Sequence, residues 1–225
     1  MLAIISALSA LRAKKYKNTA VTEKIRCNKY LTTTAFLWGL VILVFIMCSI
    51  GGISLAEIGF RPISFNYNIW FTAAALLLSG GAFAYFIYDL IASLMSKKSR
   101  EQNIDDIHGE MMAAMLPRTK KEKWLFSLRT LSSAICEETV FRGFMIFLLQ
   151  SVFPNVPIYL IILIACVIFG VSHLYQGLEG VISTGLMAVL FICLFLVTDS
   201  LILVMLLHFA ADFSATFVLS EKTLL

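Results

Sequence analysis

From about Thr33 onward the chain is a succession of apolar runs separated by short polar breaks. The first run extends from about Thr33 to Ile53 and the second from about Ile69 to Met95. Each is near the roughly 20 residues that a helix needs to cross a hydrocarbon core. After a polar segment from Ser96 to Lys123, a third runs from about Trp124 to Leu149 and a fourth from Pro157 to about Leu174. The last, Val181 to Leu219, is too long for one crossing, and Thr198-Asp199-Ser200 interrupts it, which predicts two helices joined by a tight turn. The pattern predicts an all-α, polytopic membrane helical bundle of about six transmembrane helices.

Composition strengthens that reading: 60% of the 225 residues are hydrophobic and 14% charged, against about 25% charged in soluble domains. Lys and Arg cluster ahead of the first run (Arg12, Lys14, Lys15, Lys17, Lys24, Arg26, Lys29) and between the second and third (Lys97, Lys98, Arg100, Arg118, Lys120, Lys121, Lys123). The charge bias places both segments, and with six spans both termini, in the cytoplasm. The chain then divides into a basic cytoplasmic or interfacial segment over 1–30, two transmembrane helices with the basic loop over 31–123, and a membrane core over 124–220. In MLAIISALSALRAKK the basic residues follow the apolar run, so an interfacial helix or loose tail is expected there, not a cleaved leader. The net charge of +4 is explained by this topology and anionic lipid, with no role for nucleic acid. The cysteines Cys27, Cys48, Cys136, Cys166 and Cys193 lack ligand spacing and are expected to be small core residues.

Charges within spans are the informative exceptions, because an ionisable group at bilayer depth costs at least about 2.5 kcal/mol unless paired or facing a cavity. Asp89 and Arg129 lie near span ends and can reach the interface. The third run differs: SSAICEETVFRGF puts Glu137, Glu138 and Arg142 well inside an otherwise apolar helix. Glu138 and Arg142 are placed for an i, i+4 ion pair that orients the bundle. Glu137 points about 100° away, with no partner in its own helix, and is a candidate general base. His173 closes the fourth run, with Phe169 on the same face to wall its pocket. In the sixth, His208 shares a face with Asp212. A lone membrane histidine is usually a packing residue; two of them, plus an unpaired glutamate and an aspartate, on three different helices predict a convergent polar site.

EETVFRG at 137–143, FGVSH at 169–173 and HFAAD at 208–212 closely resemble the EExxxR, FxxxH and HxxxN/D motifs of the CPBP intramembrane proteases. That family includes the CAAX-processing prenyl proteases, also called Rce1-type or Abi proteins, and bacteriocin-processing or immunity proteins. The resemblance implies an intramembrane endopeptidase acting on a membrane-associated peptide or protein in the lipid bilayer. Glu137 would be the general base for a water held with His173; His208 and Asp212 would stabilise the oxyanion; Glu138, Arg142 and Phe169 would be structural. Two chemistries stay open: Glu137, His173 and His208 holding Zn²⁺ or another divalent metal with a place for water, or a metal-free glutamate mechanism. Two other functions also stay open, bacteriocin self-immunity with or without proteolysis and a small proton-coupled transporter. The short loops point to a bacterial plasma membrane.

Overall fold

The computed structural model describes residues 21–65, 67–95 and 114–220. The N-terminal stretch expected at the interface, most of the basic loop and the side chain of Asp89 lie outside the described residues. Among the described residues all regular structure is helical and forms six rods. The first two are α1 (Glu23–Gly51) and α2 (Ile69–Met95). The third is built from α3 (Lys120–Glu137), a π-helical segment (Glu138–Met145) and α4 (Ile146–Val152). The others are α5 (Ile158–Ser172), α6 (Gly177–Thr198) and α7 (Leu201–Ser220), so the all-α bundle is the fold. Three helices are long and apolar enough to cross a membrane by themselves, Glu23–Gly51, Ile69–Ala92 and Leu174–Thr198; α5 and the first part of α7 are shorter apolar helices.

The exterior departs from the pattern of a water-soluble protein, and the apolar core also encloses polar side chains. Ile50, Leu77 and Leu186 are well exposed, whereas Thr130, Thr139, Thr198 and Ser200 are completely buried. Lipid tails are as apolar as leucine, so helices associate through small and polar groups that satisfy each other inside the bundle. Thr139 and Thr198 satisfy their hydroxyls within their own helices, donating to the carbonyls of Ile135 and Leu194 one turn back. The outward apolar face makes this a membrane protein.

Helix ends carry sequence-specific stops. Gly52, in the left-handed region at φ 66°, closes α1 by turning its own N–H and that of Ile53 back onto the last carbonyls. Thr119 and Glu122 form a reciprocal capping box that starts α3. Asp199 ends α6 at φ 53°, and Arg61 holds it, donating to both its carboxylate and its carbonyl. This contact, with Ser200 donating to the Arg61 carbonyl, joins the loop after α1 to the turn between α6 and α7. One end of the bundle is therefore closed by loops poor in basic residues.

The other end shows a difference from the sequence expectation. Helix α1 begins at Glu23, ten residues before the apolar run at Thr33. Arg26 is buried and paired at 2.6 Å with the buried Glu122 at the head of α3. A charge that looks like loop material by pattern is thus helical because its partner neutralises it. The third rod packs against α1, α5, α6 and α7, which places its charged middle at the centre of the molecule.

Candidate active site

The centre is assembled from the third rod outward. Glu138 and Arg142 face inward and are almost completely buried, Arg142 Nη1 donating to Glu138 Oε1 at 2.9 Å. The guanidinium lies 4.1 Å above the Phe169 ring and 5.2 Å from that of Phe191, so aromatic faces cover the part of the cation that the carboxylate leaves open. Phe169 also meets Phe141 edge-on at 5.0 Å and the His173 ring at 4.6 Å. One aromatic residue therefore touches both the ion pair and the histidine.

Glu138 Oε1 makes a second contact, to His208 Nδ1 at 2.6 Å. Its pairing with Arg142 is thus only part of its role, and the glutamate fixes the His208 ring across a helix boundary. With Nδ1 held there, Nε2 turns towards Asp212 Oδ2, 3.8 Å away. Exposure increases along this line from Glu138 at 0% through His208 at 7% to Asp212 at 37%. The polar groups run from a sealed end at Glu138 to a partly exposed one at Asp212.

Glu137 lies beside this line. The expectation that it lacks a partner in its own helix is corrected: Ser133, one turn earlier on the same face, donates to Glu137 Oε1 at 2.6 Å. The free oxygen, Oε2, faces His173 Nε2 at 3.9 Å, and both side chains are only partly buried. His173 caps the end of α5 and its Nδ1 lies 2.9 Å from the Phe169 carbonyl. A carbonyl can only accept, so Nδ1 carries a proton, and in the tautomer this selects Nε2 is the acceptor. In that tautomer Glu137 Oε2 and His173 Nε2 are two acceptors at a spacing that one water can bridge by donating a hydrogen to each.

Among the described residues no three His, Cys, Asp or Glu side chains are grouped to hold an ion, while the contact of His208 Nδ1 with Glu138 leaves Nε2 turned outward. All five cysteines are unpaired, four of them buried. A cavity of about 200 Å³ lined by Glu57, Arg61, Tyr67, Gln150 and Asp199 opens at the end away from His173 and contains no histidine.

Residues 119–214 match the family model for type II CAAX prenyl endopeptidase, Rce1-like proteins. This segment is similar to the Rce1-like family. The match starts at the Thr119 cap of α3 and ends two residues past Asp212, so the segment encloses Glu137, Glu138, Arg142, Phe169, His173, His208 and Asp212. Helices α1 and α2 lie outside it. No curated protein and no solved structure matches the chain. The family is one of proteases, and the matching segment here lies within a bundle of apolar helices.

Two parts of the domain's surroundings were missed by motif and pattern. Ser133 lacks an ionisable group, yet its place four residues before Glu137 was a readable cue. Tyr175 stacks on the His173 ring with centroids 5.8 Å apart, and nothing in its spacing distinguishes it from an interfacial tyrosine.

Proposed function

We propose that the Rce1-like domain is an intramembrane endopeptidase in which Glu137 activates water against a peptide carbonyl. The supporting observation is the two-acceptor pair, Glu137 Oε2 and His173 Nε2 at 3.9 Å, partly exposed beside an otherwise sealed ion pair. A water donating to both has its lone pair directed away from them, towards a substrate. Glu137 takes one proton as the oxygen attacks the carbonyl carbon, and the carbonyl oxygen becomes an oxyanion. His208 is placed to donate to it from Nε2, from the doubly protonated ring flanked by Glu138 and Asp212. A carboxylate carries no donor, so Asp212 orients His208 instead of binding the oxyanion itself. When the C–N bond breaks, the proton held by Glu137 passes to the leaving amine and the tetrahedral centre collapses to a carboxylic acid, whose remaining proton then passes to the amine to give a carboxylate and an ammonium.

Every step uses this chain's own side chains and none passes through a metal. The substrate class proposed is a membrane-associated peptide or protein, because a site inside a bilayer is reached by chains already held at the membrane. A prenylated CAAX-type peptide is the first member to test, on the strength of the family description. Purified protein in proteoliposomes is offered such a peptide, its unprenylated form and a hydrophobic leader peptide. Cleavage of at least one, lost in Glu137→Gln and His173→Ala and unaffected by chelator, is expected. Equal cleavage by wild type and Glu137→Gln would overturn the reading; loss on chelation, restored by Zn²⁺, would replace the metal-free chemistry.

A further inference from the structure

We infer that Ser133 is the positioning residue for Glu137, holding one carboxylate oxygen so that the other is presented to His173. The inference rests on the reading of Glu137 as the general base. It starts from an irregularity in how this protein uses its helical hydroxyls. A serine or threonine inside a helix ordinarily turns its hydroxyl onto the carbonyl one turn back, where it satisfies itself without cost to its neighbours. Thr139, Ser151, Thr184 and Thr198 all do this, donating to Ile135, Phe147, Gly180 and Leu194. Ser133 does not. It points forward along α3 and donates to Glu137 Oε1 at 2.6 Å, while the residue itself is 2% exposed.

The contact makes the two oxygens of Glu137 inequivalent. Rotation of a glutamate carboxylate about its last torsion is soft and roughly two-fold, so an unheld group would exchange its oxygens and swing away from His173. Among the described residues Ser133 is the side chain that hydrogen-bonds Glu137. The neighbouring Glu138, by comparison, is held by both Arg142 and His208. The catalytic carboxylate therefore has one small, neutral tether, which fixes its direction without neutralising it. An arginine in that place would have consumed the base. Ser132, next in the chain, faces α1 instead and accepts from Trp38 Nε1 at 3.2 Å, so the two adjacent serines serve different contacts.

The test uses the full chain in proteoliposomes with Ser133→Ala, Ser133→Thr and Glu137→Gln. Infrared difference spectra against Glu137→Gln isolate the Glu137 carboxylate bands without any substrate. Ser133→Ala is expected to narrow the splitting between the antisymmetric and symmetric stretches, and Ser133→Thr to restore it. On a peptide that the wild type cleaves, Ser133→Ala is expected to lower kcat roughly 10-fold or more, the scale at which small misplacements of catalytic groups act, with KM within about twofold. In the Glu137→Gln background it should lower nothing further. Unchanged carboxylate bands in Ser133→Ala would overturn the inference, as would unchanged kcat on a cleaved peptide. If no peptide is cleaved by wild type, the role of Glu137 as base fails, while the infrared comparison still decides whether Ser133 holds it.

Discussion

Glu137 and Glu138 are neighbours in sequence and opposites in environment, their side chains 15% and 0% exposed. Replacing Glu138 by Ala strands a guanidinium that already has Nε and Nη2 without hydrogen-bond partners, and it releases His208. Removing one partner of a buried pair typically costs about 3–5 kcal/mol, so Glu138→Ala should unfold early in a detergent melt and lose activity with it. Glu137→Ala leaves no buried cation unpaired, only a serine hydroxyl that can turn back onto its own helix. It should melt within about 1 kcal/mol of wild type, in the ordinary range for substitutions away from the core, while abolishing cleavage. Differential melting followed by tryptophan fluorescence distinguishes the two, and similar destabilisation in both would mean that Glu137 is structural.

At the scale of elements, the position of His173 depends on how closely α5 approaches α6. A Cβ built at Gly170 would lie 2.7 Å from the Val181 carbonyl oxygen and 3.4 Å from the Gly185 Cα. Backbone cannot rotate away as a side chain can, so Gly170→Ala must push the helices apart. A cost of about 1–3 kcal/mol, usual for overpacking, is expected, together with loss of activity, because His173 follows Gly170 by less than one turn. Gly39→Ala on α1, with no atom within 4 Å of the added carbon, is the control. It should be neutral or stabilising by up to about 1 kcal/mol. The existence of these helices was legible because an apolar run of membrane-crossing length must satisfy its backbone within itself, which only a helix does; α2 begins at Ile69 and ends at Met95 as the pattern predicted. The site residues were legible as charges out of place in those runs. The link between His208 and Glu138 was not, since 70 residues separate them and only packing brings α7 to the third rod. The π-helical widening at Glu138–Met145 also leaves no mark on apolar periodicity over so few residues, although such turns recur at functional sites.

For the molecule as a whole, the ion pair between Arg26 and Glu122 ties α1, outside the Rce1-like domain, to the first turn of the domain. Both side chains are nearly inaccessible, at 5% and 0%. Burial by itself would raise the Glu122 carboxyl, but the Arg26 guanidinium and the backbone N–H groups of Thr119 and Arg118 outweigh it and hold the group below its ordinary value. A depressed carboxyl contributes stability above its unfolded value of about 4.3, and that contribution is lost as pH falls through the lower folded value. Wild type should therefore lose melting temperature as pH falls below about 4.3. Glu122→Gln, which cannot titrate, should start lower at neutral pH and show a smaller acid decline. The same protonation would release the start of α1 first, because among the described residues Arg26 then keeps the Val21 carbonyl as its hydrogen-bond acceptor. Hydrogen exchange at the start of α1, compared at neutral and acid pH, should accelerate there before the centre of the third rod opens. If Glu122→Gln and wild type melt in parallel across that range, the pair does not couple α1 to the domain, and the shorter apolar contacts among Leu37, Val41 and Cys136 are sufficient to hold the two together.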